Sequence, residues 1–126
     1  MKPTGTTIIV VEDEPGLRAT LCGILLEDTG YKVIGLESGA DALQMIRKSP
    51  FDVIIADIRL PDVSGLEILE LAKEINPDAA VIMMTGYTEE DSVKRAVSHG
   101  AYACIHKPFD VEKVIELVEH IAKEKK

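Results

Sequence analysis

Four stretches of this 126-residue chain end on residues that could do chemistry together. Ile8-Ile9-Val10-Val11 runs into Glu12-Asp13, and the stretch from Phe51 ends on Asp57. Ala79 to Met84 leads to Thr85-Gly86, and Ala101 to His106 leads to Lys107-Pro108. Val- and Ile-rich runs without polar alternation read as strands buried on both faces, the interior of a parallel sheet. Parallel strands bring their carboxyl ends to one rim, where open α/β sheets hold their ligands. Three carboxylates meeting there resist joint ionisation unless a cation neutralises them. An all-oxygen set without His or Cys selects a hard ion, which points to Mg²⁺. A hydroxyl and an ammonium beside it suit the charged equatorial oxygens of a phosphoryl group. A carboxylate so placed can act as nucleophile and form an aspartyl-phosphate, and Asp57 is the candidate acceptor.

Each residue taken alone has a plainer reading. Glu12, Asp13 and Glu14 are acids that a helix N-terminus favours, and Asp57 could make an Asx-turn before Pro61. Thr85 before Gly86 could be turn chemistry, and Lys107 an ordinary surface lysine. The convergence of all of them at strand ends is what the plainer readings leave unexplained.

The elements that must hold these groups are legible in order. After the first strand, Pro15 suits a first helical turn, and Leu17, Leu21, Ile24 and Leu25 give a helix stopping near Thr29-Gly30. Tyr31 to Leu36 reads as a second strand with partial alternation, nearer an edge. Ser38 caps a helix bearing Leu43 and Ile46, broken by Ser49-Pro50. Past the third strand, Leu66 to Ile75 is a helix with Ile68, Leu71, Ala72 and Ile75 inward, ended by Asn76-Pro77. Thr88-Glu89-Glu90-Asp91 has the form of a capping box opening a helix through His99 to Gly100. Its apolar stripe (Val93, Ala96, Val97) is narrow, so it should be less firmly held than its neighbours. Asp110 caps a last helix with Val111, Val114, Ile115, Val118 and Ile121 inward, and Lys123 to Lys126 should fray. Five strands alternating with five helices make a doubly wound α/β sandwich.

Composition narrows the function classes. The length suits one domain, residues 1–126. A net charge of −8 argues against direct nucleic-acid binding, which needs a basic face. The amino end lacks a secretory apolar region and no run is long enough to span a bilayer, so a cytoplasmic location without membrane contact is expected. Cys22 and Cys104 read as small buried hydrophobes rather than a disulfide, and His99, His106 and His120 lack ligand spacing. There is no GxGxxG or Walker-type loop, so no nucleotide cofactor is expected.

With these residues in view, the chain resembles the receiver domain of two-component response regulators (the CheY-like superfamily) across almost its whole length. The resemblance rests on Glu12-Asp13, Asp57 with Pro61, Gly65 and Glu67, Thr85-Gly86, and Lys107-Pro108-Phe109-Asp110. Together with the two-sided burial of strands one, three and four, it implies a flavodoxin-like (βα)5 fold with strand order 2-1-3-4-5. It also implies a phosphorylation-controlled switch in which Asp57 accepts a phosphoryl group from a phosphohistidine of a sensor histidine kinase. Asp13, Asp57 and the Arg59 carbonyl would bind Mg²⁺, with Glu12 acting mainly through water. Thr85 and Lys107 would contact the phosphoryl oxygens, and the Lys107-Pro108 bond is expected to be cis. The face of the fourth helix, fifth strand and fifth helix would then shift to control a downstream effector domain or protein. The resemblance also allows phosphorylation-dependent homodimerisation through the fourth and fifth helices. Asp57 to Pro61, Met84 to Gly86 and Lys107 to Asp110 look most like receivers of nitrogen-regulation-type transcription activators. One position departs from the pattern. Cys104 stands where the family usually has an aromatic, and Tyr102, two residues earlier on the same strand face, is the candidate substitute. Arg59 and Tyr87 fall where the family tunes access of water to the phosphate.

Two other functions compete. A Mg²⁺-dependent aspartyl-phosphate phosphatase would want an acid two residues after the nucleophile, where this chain has Arg59, and a substrate cap for which there are no residues. A flavin-binding electron carrier would want aromatics and a phosphate loop after the first strand, and aromatic content is 4% with no tryptophan. The sequence therefore favours a self-phosphorylating switch over a turnover enzyme.

Overall fold

Strand and helix alternate as the apolar pattern requires. The computed structural model describes residues 6–86, 90–108 and 110–124. Its elements are β1 (Thr7–Val11), α1 (Pro15–Thr29), β2 (Lys32–Leu36), α2 (Gly39–Lys48) and β3 (Val53–Asp57). They continue with α3 (Gly65–Ile75), β4 (Ala80–Thr85), α4 (Glu90–Ser98), β5 (Ala103–His106) and α5 (Val111–Glu124). The strands pair in parallel in the order β2-β1-β3-β4-β5, the arrangement expected of a flavodoxin-like sheet.

Strand periodicity divides the core into two layers. Ile9, Val11, Ile54, Ala56, Val81 and Met83 pack with α2, α3 and Ala96 of α4. Ile8, Val10, Val53, Ile55, Ile82 and Met84 pack with Leu21 and Leu25 of α1 and Val114, Val118 and Ile121 of α5. Every residue of β1, β3 and β4 is buried, whereas the edge strands β2 and β5 are not. Two-sided burial is why the central strands lack polar alternation.

The helix ends follow their local chemistry. Gly30 takes a left-handed conformation (φ 70°) and its N–H returns to the Leu26 carbonyl, closing α1. Ser38 accepts from the Asp41 N–H at 3.1 Å, and Asp110 accepts from the Glu112 N–H at 3.0 Å. At α3, Ser64 accepts from the Leu66 N–H while its own N–H donates to Glu67, a capping box. Of the box expected at Thr88 to Asp91, residues 88 and 89 lie outside the described residues. α5 continues through Lys123 and Glu124, where fraying was expected.

Two expected core residues are not in the core. Ile75 is 46% exposed because it closes α3, and its place in the terminal turn overrides its phase. The third apolar residue of that helix to be fully buried is instead Leu69, beside Ile68 and Ala72. Val97 is 60% exposed, since α4 turns a narrow edge centred on Ala96 to the sheet and Val97 lies a further 100° round the helix. Cys22 and Cys104 are free thiols, half-buried rather than buried, and burial raises both thiol pKa values. Among the described residues, no helix is long and apolar enough to cross a membrane.

Candidate functional site

β1 and β3 are direct neighbours, paired from Ile8–Val53 to Val11–Ala56, so their carboxyl ends deliver acids side by side. Glu12 follows β1 and is 1% exposed; its backbone N–H donates to the Leu36 carbonyl, fixing the chain against β2. Asp13, next along, is exposed. Asp57 is the last residue of β3 and is buried. Carboxylate oxygens of Glu12, Asp13 and Asp57 all lie within 4.8 Å of one another, a grouping that could hold a metal ion.

Lys107, immediately after β5, reaches into this cluster. Its ammonium donates to Asp57 Oδ2 at 2.5 Å and to Glu12 Oε1 at 2.9 Å. Burial alone would lower the lysine pKa, but the hydrogen bonds and charges of Asp57 and Glu12 outweigh it and raise the value. Burial raises the Glu12 carboxyl, opposed by the Lys107 ammonium and the Glu14 N–H and reinforced by the charge of Asp57. One ammonium against three carboxyl groups leaves formal negative charge on the cluster. The donor set is all oxygen and suits a hard divalent cation.

Backbone contacts order the remaining parts. The Arg59 N–H donates to Asp57 Oδ1 at 3.0 Å. Gly65 brings α3 against the strand end: a Cβ added there would lie 2.3 Å from the Asp57 carbonyl oxygen. Thr85 is buried at the end of β4, one residue past Met84, the pairing partner of Asp57. Its carbonyl accepts from the Lys107 N–H at 2.8 Å, so the threonine and the lysine are tied through the backbone. Its hydroxyl, however, donates to the Gly86 carbonyl at 3.2 Å rather than to the acids. The Lys107–Pro108 bond is cis.

The structure thus brings Glu12, Asp13, Asp57, Lys107 and the Arg59 amide together, with the Thr85 hydroxyl turned aside. Tyr87 and Phe109 lie outside the described residues. Tyr102 precedes β5, and its hydroxyl donates to Glu124 of α5 at 3.5 Å. Cys104 packs against the α3 side of the core. Two contributors escaped the sequence reading. Arg18 of α1 donates to the Glu12 carbonyl at 2.8 Å, and Asp62 accepts from the N–H groups of Gly39 and Ala40. The first acts on a backbone carbonyl, which no side-chain pattern announces, and the second needs the tertiary fold.

Known proteins share this architecture and place the chain in one family. The profile of the family described as response regulator receiver domain matches residues 8–119. The chain is 35% identical to transcriptional regulatory protein ZraR of Klebsiella oxytoca over 85% of its own length and 24% of that protein's. It is 31% identical to sporulation initiation phosphotransferase F of Bacillus subtilis (strain 168), over 89% of this chain and 90% of that one. The beryllofluoride-activated NtrC4 receiver domain dimer superposes with a TM-score of 0.84 at 32% identity, covering 95% of this chain and 98% of that one. The chain spans about a quarter of the length of ZraR, so the likeness covers only that part of the regulator. With its sheet order, its acidic rim and the profile match in agreement, this chain belongs to the response regulator receiver domain family, signalling domains of two-component systems rather than turnover enzymes.

Proposed function

We propose that the 126 residues act as one receiver unit, a switch set by phosphorylation of Asp57. The observation that carries this reading is the Lys107 ammonium bridging Asp57 and Glu12, with an oxygen of Asp13 in reach of both acids. An Asp57 oxygen attacks phosphorus of a phosphohistidine on a sensor kinase; the O–P bond forms as the N–P bond breaks. The departing imidazole nitrogen keeps the electron pair and later takes a proton from solvent. Lys107 and the Arg59 amide orient the two Asp57 oxygens beforehand, which lowers the reorganisation needed at transfer.

Asp13, Asp57 and the Arg59 carbonyl would hold Mg²⁺, with Glu12 engaged through water. When bound, Mg²⁺ supplies the positive charge that lets a phosphoryl dianion approach three carboxylates. Lys107 would move from the Asp57 carboxylate to a phosphoryl oxygen. Thr85 would have to release the Gly86 carbonyl to do the same, which moves the end of β4 and, through the Lys107 N–H, the end of β5. α4 buries only Ala96 and is the helix most readily displaced. Phosphorylation would bias an existing equilibrium of the α4–β5–α5 face, read by a cytoplasmic effector domain or protein, or by a second copy as in the NtrC4 dimer. The NtrC4 likeness favours a transcription activator of the nitrogen-regulation type as the setting.

Intact-mass spectrometry after incubation with acetyl phosphate and Mg²⁺ tests the reading. The wild type should gain one phosphoryl group and Asp57→Asn none. A wild type that stays unmodified defeats the proposal, and steady phosphate release from many monoesters would replace it with a phosphatase.

A further inference from the structure

The loop between β3 and α3 presents the Arg59 amide to Asp57, so its shape matters to the acceptor. Its base is closed by the Gly65 N–H on the Ile58 carbonyl at 2.7 Å and by an antiparallel bridge between Arg59 and Ser64. Its tip is held by something else. Asp62 Oδ1 accepts from the Gly39 N–H at 3.0 Å and Oδ2 from the Ala40 N–H at 2.9 Å. These are the first two N–H groups of α2, which have no acceptor within the helix. Below them Ser38 already caps the same helix through Asp41. The helix therefore carries a local cap and a second one supplied from across the fold.

The contact is also shaped. Val63, which follows Asp62, lies so close over Gly39 that an added Cβ would sit 1.9 Å from its Cγ2. The Ala40 and Gly39 amides hold the Asp62 carboxyl below its ordinary pKa, so the clasp is charged at neutral pH. α2 supplies no group to the acidic rim. Its amino end is nonetheless bolted to the segment that runs directly from the acceptor.

We propose that Asp62 is a positioning residue for phosphoryl transfer: by clasping the first turn of α2 it fixes the 58–64 loop so that the Arg59 peptide faces Asp57. This rests on Asp57 being the acceptor. Asp62 is not one of the three grouped acids; it acts through the Arg59 backbone.

The test compares Asp62→Asn with Ser38→Ala, which removes the local cap from the same helix. Asp62→Asn should shift the Arg59 amide resonance, speed its hydrogen exchange, and slow phosphorylation by acetyl phosphate by about tenfold, as small misplacements near a reacting centre do. Ser38→Ala should lower thermal stability and leave all three readouts at wild-type values. Gly39→Ala, which forces Val63 off the helix while keeping Asp62, should reproduce the Asp62→Asn result. If Asp62→Asn and Ser38→Ala differ only in melting temperature, with the Arg59 amide unmoved, Asp62 is a helix cap and the proposal is overturned. A wild type that takes no phosphoryl group would defeat the acceptor reading instead, and the Arg59 amide comparison would still decide whether Asp62 sets the loop.

Discussion

Lys107 acts in the resting protein as an internal counterion, and its removal should move stability and metal affinity in opposite senses. Glu12 is 1% exposed at its side chain, Asp57 11% and Lys107 29%, so the acids are buried and the amine only partly so. Breaking a buried pair costs about 3–5 kcal/mol. The partly wet ammonium calls for a discount, and Lys107→Met should cost about 2–3 kcal/mol, a large share of a typical domain's stability. Protonation limits the loss. Burial already raises the Glu12 pKa, and without the ammonium it would rise further. A group that binds protons more readily folded than unfolded destabilises the fold at pH above its unfolded pKa, and the penalty shrinks as pH falls toward it. The variant should therefore lose more stability at pH 7 than at pH 5, by urea denaturation with unchanged m-value. The same deletion removes the ammonium paired with Glu12 and Asp57, so Mg²⁺ should bind Lys107→Met more tightly than wild type while phosphorylation slows. Equal stability loss at both pH values, together with unchanged or weaker Mg²⁺ binding, would refute the counterion argument.

Three further outcomes are expected. Arg18→Ala removes the donor to the Glu12 carbonyl, loosens the Glu12–Asp13 turn, and should weaken Mg²⁺ binding by about tenfold in a calorimetric titration, the scale of lost supporting bonds around metal ligands. Asp62 has a lowered folded pKa, so its contribution is present above its unfolded value of about 4 and lost as pH falls through the folded one. The stability gap between wild type and Asp62→Asn should be constant from pH 5 to 7 and close in acid, as followed by thermal melts. Gly65→Ala would place a methyl 2.3 Å from the Asp57 carbonyl oxygen and 2.8 Å from Ile58 Cα, both backbone atoms that cannot step aside. It should cost about 3 kcal/mol, measurable by urea denaturation, at the upper end of overpacking penalties.

The acidic rim was legible because a parallel sheet converts order along the chain into nearness in space. Each central strand announces itself by an unbroken apolar run, and whatever follows the run arrives at the same edge. Glu12, Asp13, Asp57 and Lys107 needed no long-range inference beyond that rule. The residues that escaped notice work differently. Arg18 acts through a backbone carbonyl, and Asp62 through the N–H groups of a helix 22 and 23 residues away in sequence, so neither leaves a mark in hydrophobic period or charge pattern. Ile75 and Val97 misled for a related reason: period assigns a helix face, but only the length and tilt of the helix over the sheet decide where that face stops finding neighbours. The Thr85 hydroxyl adds the point that matters most for mechanism. Its position was predictable from β4, yet its bond to the Gly86 carbonyl was not, because the acceptor a hydroxyl takes is set by the fold around it. If Asp57 is phosphorylated as proposed, the new anion would offer that hydroxyl a competing acceptor, and sequence pattern alone names such competitors without ranking them.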